Sequence, residues 1–120
     1  MDKVVINLTA GAEDSEAALI AYLVGTAAQA AGKEVIVFMT KEAVRLGVAG
    51  GPESVPHQEG RPTLSELASQ FADGGGRALL CPVCFKSRGL DEAGLLANAT
   101  VAGAAALWEW VGEGATVFTY

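Results

Sequence analysis

An α/β sandwich on a mostly parallel sheet is the fold this sequence predicts, and three observations carry the prediction. Short apolar runs of strand length, KVVINL, EVIVFMT, RALLC and ATVFTY, recur along the chain. Stretches with helical periodicity lie between them, which is the alternation of α/β folds. Glycine breaks stand where the period changes, at Gly32, at Gly74-Gly75-Gly76 and at Gly112 and Gly114. With 120 residues the chain forms one domain and can bury a real core.

The elements follow in order. Lys3 to Leu8 reads as a first, buried parallel strand. Thr9-Ala10-Gly11 is a tight turn at its carboxyl end, where open α/β sheets bind ligands; it lacks the spacing of a phosphate-binding loop. Asp14 or Ser15 caps a helix that runs to about Ala31. Its apolar residues form two neighbouring stripes, Leu19, Leu23 and Ala27 beside Ile20, Val24, Ala28 and Ala31, wider than one sheet face needs. The excess predicts a second buried face and hence contact between subunits.

Glu34 to Thr40 is the second strand and Lys41 to Leu46 a short helix. Gly47 to Pro62, with four Gly and three Pro, is a loop. It carries the only histidine, His57, a candidate for a role at the site against the plainer reading of a solvated side chain. Thr63 caps the next helix in a capping box with Glu66, and that helix ends at Asp73. Arg77 to Cys81 is the third strand. Asp91 and Glu92 start a helical turn toward Leu96, and Ala99 to Ala102 forms a short fourth strand. Gly103 to Val111 is helical and Ala115 to Tyr120 is the last strand. The final helix places Trp108 and Trp110 on nearly opposite faces, so one of them lies either in an oligomer contact or over a surface loop.

The chemistry concentrates in Arg77 to Leu90, RALLCPVCFKSRGL, which holds both cysteines. Pro82 follows Cys81 and Gly89 closes the segment, the usual asymmetry of a short helix. Cys81 is then the cap where strand becomes helix, and Cys84 comes back over it, because residues three apart share a helix face. A thiol reacts as its thiolate, which helix-end amides favour. Lys86 and Arg88 add two cations within seven residues of Cys81 in a chain of net charge −6. The bland alternative is a pair of inert cysteines that fill space.

Composition narrows the classes further. The acidic balance argues against nucleic-acid binding. No apolar run reaches the roughly 18–20 residues of a spanning helix, so no membrane is expected. Met1-Asp2-Lys3 lacks the basic start of a secretory leader, so a cytoplasmic location is expected. Two cysteines there point to catalysis, redox work or metal rather than a structural disulfide. A closed zinc site needs four ligands and one chain offers two Cys and one His, so neither metal nor cofactor is expected.

With these residues in place, the chain resembles the DsrE/DsrF-like (TusD-like) sulfur-relay family over nearly its whole length. The resemblance rests on a cysteine at the end of the third strand, Cys81, followed by Arg88-Gly89, and on the small-residue stretch Thr100 to Ala104 before a helix and terminal strand. It implies a three-layer, five-stranded flavodoxin-like sandwich that assembles into homo-oligomers, trimers or hexamers. It also implies a cysteine that carries sulfane sulfur as a persulfide between donor and acceptor proteins. The chain departs from the relay subunit at Cys84. A thiol there could attack a Cys81 persulfide, releasing sulfide and leaving a Cys81–Cys84 disulfide.

On this reading Cys81 and Cys84 are the catalytic pair, and Lys86 and Arg88 stabilise the thiolate. Thr9, Gly11 and His57 shape the pocket. A dithiol oxidoreductase built on Cys81-Pro82-Val83-Cys84 and a non-catalytic oligomeric binding module are the competing expectations.

Overall fold

The structure, a computed structural model, describes residues 2–120. Five strands are present: β1 (Lys3–Leu8), β2 (Glu34–Met39), β3 (Arg77–Leu80), β4 (Ala99–Val101) and β5 (Thr116–Thr119). Four α-helices join them: α1 (Ser15–Ala30), α2 (Leu64–Asp73), α3 (Pro82–Ser87) and α4 (Ala104–Val111). The strands form one sheet in the order β4-β3-β2-β1-β5, and each pairing is parallel.

The layers follow from handedness. Each step from β1 to β4 moves to the next position in the same direction, and right-handed crossovers then put α1, α2 and α3 on one face. The step from β4 to β5 runs back past the other strands, so α4 lies on the opposite face. Side-chain alternation agrees. Val4, Ile6, Leu8, Val37, Met39 and Leu80 pack with Leu19, Tyr22, Leu67, Phe71 and Phe85. Val5, Ile36 and Leu79 face the other way, against Leu107, Trp110 and Val111. The result is the expected three-layer α/β sandwich. Its strand order, read as 5-1-2-3-4, gives the edge beside β1 to the last strand, whereas flavodoxin order (2-1-3-4-5) gives it to the second.

Caps fall where local chemistry puts them. Asp14 Oδ1 accepts from Ala17 N at 3.2 Å at the start of α1. Thr63 and Glu66 close a capping box on α2, with Glu66 N donating to Thr63 Oγ1 at 3.1 Å. The segment after β2, Lys41–Gly47, is a 3-10 helix, and the following loop holds a further 3-10 turn at Pro52–Ser54.

The two faces are covered unequally. No residue of α4 is fully buried, and all four residues of β5 are exposed. Trp110 lies toward the sheet, with Lys3 Nζ 5.2 Å from its ring centroid, while Trp108 is 73% exposed. On α1, Leu19 and Tyr22 are buried, whereas Leu23 of the first stripe and Ile20 of the second stay exposed.

Candidate functional site

Strands β3 and β4 are neighbours whose outgoing connections leave toward opposite faces, α3 to one and α4 to the other. In open α/β sheets the crevice beyond the carboxyl ends of such a strand pair is where ligands bind. Cys81 stands there as the first residue after β3, its N–H donating to Met39 O at 2.9 Å. Gly103 caps α4 after β4, and a Cβ on it would lie 3.6 Å from Pro82 Cδ. The starts of α3 and α4 therefore meet at Pro82, the residue next to Cys81.

Local sequence explains the geometry of the cysteine turn. Cys81 is the N-cap of α3 with Pro82 in the first turn. Phe85 N donates to Cys81 O at 2.9 Å, and the Phe85 side chain, 2% exposed, anchors the turn in the core. Gly89 ends it with φ +66°, a left-handed conformation that glycine tolerates. Both cysteines are free and half-buried, and Cys84 packs against the core edge.

The Cys81 sulfur makes no regular cap hydrogen bond. Even so, the Cys84 N–H, and to a smaller extent the Cys84 thiol and the Val83 N–H, draw its pKa below the usual thiol value. Partial burial opposes them and does not win.

The predicted supporting residues divide. Gly11 N donates to Glu13 Oε1 at 2.7 Å, and a Cβ on Gly11 would stand 2.7 Å from Glu42 O. The first turn thus rests against the 3-10 helix after β2. Thr9 is turned toward the last strand, its N–H and Oγ1 donating to Tyr120 O at 3.0 and 3.1 Å.

Arg88 is engaged by other partners. Its Nε bonds Glu42 Oε2, and its Nη1 donates to Cys84 O at 3.2 Å. Lys86 is exposed in the last turn of α3. Both cations sit at the end of the helix away from its Cys81 cap. His57 is exposed and keeps its Nε2 on Arg61 O at 2.7 Å within its own loop. That loop is tied to α1 through Arg61 Nη1 and Glu16 Oε2 at 3.0 Å.

Glu42 is the residue that sequence reasoning missed. It accepts from Arg88 and from Arg45 Nε at 2.9 Å, and these arginines, Arg88 first, hold its carboxyl below the usual carboxylate range. The only available signal was its place just past the carboxyl end of β2. Next to it Lys41 adopts φ +54°, a left-handed conformation unusual for a residue with a Cβ. Among the described residues no three His, Cys, Asp or Glu side chains gather as a metal site needs, and no helix is long and apolar enough to cross a membrane.

The sequence matches the DsrE/DsrF-like family over residues 2–120. Among solved structures, the chain is similar to the ychN protein of E. coli, with 18% identity, TM-score 0.81 and 100% of both chains covered. It is also similar to a protein of unknown function from Methanobacterium thermoautotrophicum, with 16% identity, TM-score 0.70 and 100% of both chains covered. A conserved protein of unknown function from Bacteroides thetaiotaomicron gives 14% identity and TM-score 0.67, with 99% of this chain and 95% of that chain covered. At such identities the likeness concerns the fold. No curated protein matches the sequence significantly.

Proposed function

This chain belongs to the DsrE/DsrF-like family, and on that premise we propose that Cys81 carries sulfane sulfur, with Cys84 as its resolving thiol. The observation that carries the reading is two free thiols sharing the first turn of α3, with Cys81 drawn toward thiolate by the amides around it. The Cys81 thiolate attacks the outer sulfur of a donor persulfide. A Cys81–S–S bond forms, the donor S–S bond breaks, and the donor leaves as thiolate. An acceptor thiolate then takes the outer sulfur and regenerates Cys81. In its absence the Cys84 thiolate attacks the Cys81 sulfur. The outer sulfur leaves as sulfide, both cysteines are oxidised to a disulfide, and an external dithiol resets the pair.

Intact-mass spectrometry after incubation with a small-molecule persulfide tests this. Wild type is expected to gain one sulfur transiently and then lose two hydrogens, while Cys84→Ser accumulates the one-sulfur adduct. Loss of two hydrogens in wild type with no adduct in any variant would shift the reading to a dithiol oxidoreductase. A reducing cytoplasm is the setting in which both thiols stay available.

The same reading includes self-assembly, as a trimer or hexamer, through the thinly covered face. Trp108 and Val117 are 73% and 59% exposed, and a groove of about 560 Å³ runs between α4 and β5, lined by Val5, Phe38, Leu107 and Val117 among others. Apolar surface of that kind marks an interface. In sedimentation, wild type is expected at a multiple of 12.3 kDa and Trp108→Lys at 12.3 kDa. A wild type that stays at the single-chain mass at micromolar concentration would sink the proposal.

A further inference from the structure

Three segments far apart in sequence meet at Glu42. Its carbonyl oxygen lies where Gly11 presses in, so closely that a Cβ there would come within 2.7 Å. Its carboxylate takes Arg88 on one oxygen and Arg45, at 2.9 Å, on the other. Arg88 in turn reaches the Cys84 carbonyl at 3.2 Å and the Ser87 hydroxyl at 3.3 Å. Of the three side chains Arg88 is the most enclosed, at 23% exposed, against 39% for Glu42 and 48% for Arg45.

We propose that Glu42 is a positioning residue for Cys81: it holds Arg88, Arg88 holds the Cys84 carbonyl, and the first turn of α3 is thereby fixed against the Thr9–Gly11 turn. The inference rests on the reading of Cys81 as the nucleophile and adds the residue that keeps its surroundings in register. The physical reasoning is short. Helix α3 has only six residues, and so few turns do not hold a helix by themselves. Phe85 pins its inner side in the core. Its outer side is held by Arg88, whose planar fork binds a carboxylate and a carbonyl together. Cys84 links the two: its C=O, in the peptide it shares with Phe85, is the group Arg88 holds, and its N–H, one peptide earlier, is the group that acts most on Cys81. An arginine without its carboxylate swings to solvent, and Cys84 then loses the contact on its carbonyl, which frees the adjoining peptide that carries its N–H to shift.

The test reads the thiol itself and needs no sulfur transfer, so its failure is distinct from failure of the persulfide reading. The rate of alkylation of Cys81 by iodoacetamide is measured against pH in a Cys84→Ser background, with Glu42→Gln, Arg88→Gln, the double variant and Arg45→Gln. Glu42→Gln is expected to slow alkylation at pH 7 about threefold by moving the inflection to higher pH, tenfold in rate corresponding to about one pH unit. Arg88→Gln is expected to do the same, and the double variant no more than either single change, as coupled residues behave. Arg45→Gln, which leaves the Arg88 contact in place, is expected to keep the wild-type profile. An unchanged profile in both Glu42→Gln and Arg88→Gln, or effects that add fully in the double variant, would overturn the proposal. Should Glu42→Gln fail to fold, the Arg88→Gln profile decides alone.

Discussion

Cys81→Ser is expected to abolish sulfur uptake, with the rate of adduct formation from a persulfide donor falling by about a thousandfold or more. The hydroxyl keeps the shape of the side chain and removes the nucleophile, since it is not ionised at neutral pH. The substitution suits the fold. Serine is among the preferred N-cap residues, so α3 keeps or improves its start, and stability is expected to change by no more than about 1 kcal/mol. Loss of chemistry without loss of structure is the signature to look for, by intact mass in parallel with thermal melting. An adduct that persists on Cys84 in this variant would make Cys84 the carrier and reverse the two roles.

Phe71→Ala is expected to be the most damaging single truncation in the core, costing about 3–5 kcal/mol. Phe71 is 1% exposed and meets Tyr22 edge-on, with ring centroids 5.6 Å apart at 87°. Its ring lies against two glycines. A Cβ on Gly25 would come 3.4 Å from the ring and one on Gly76 would come 2.4 Å from it. The glycine backbone that lines part of the space offers no side chain to swing in from that side, so much of the cavity stays open and the cost sits at the upper end. Against a total stability on the order of 5–15 kcal/mol, the urea midpoint is expected to fall by about 2 M. A loss below about 1 kcal/mol would mean that the backbone closes the gap.

What could be read from the sequence was what neighbours along the chain decide. Pro82 beside Cys81 and Gly89 past the last turn fixed α3, the Thr63–Glu66 pair fixed α2, and the apolar run from Lys3 to Leu8 fixed β1 to the residue. What could not be read was pairing at a distance. Arg88 looked like a thiolate partner because it lies seven residues from Cys81, yet its charge goes to Glu42, 46 residues away. Lys86 stands exposed in the last turn of the same short helix, a placement that a count of residues does not give. His57 carries no mark in its loop of where its ring points. Nor does the pattern of runs say which strand closes the sheet, because β5 reads the same at either edge.

The position of β5 has a consequence for how the chain is made. Its partner is β1, and Thr9 and Tyr120, which bond at that junction, are 111 residues apart. Ribosomes deliver the amino-terminal strand first, so β1 emerges long before the strand that covers its open edge. Until then an apolar strand offers a row of unsatisfied amides and carbonyls to other nascent chains. Closing so long a loop is also slow. The vulnerable interval in the life of this protein is therefore the time between synthesis of its first strand and arrival of its last, when a chaperone or a brief pause in translation would decide yield.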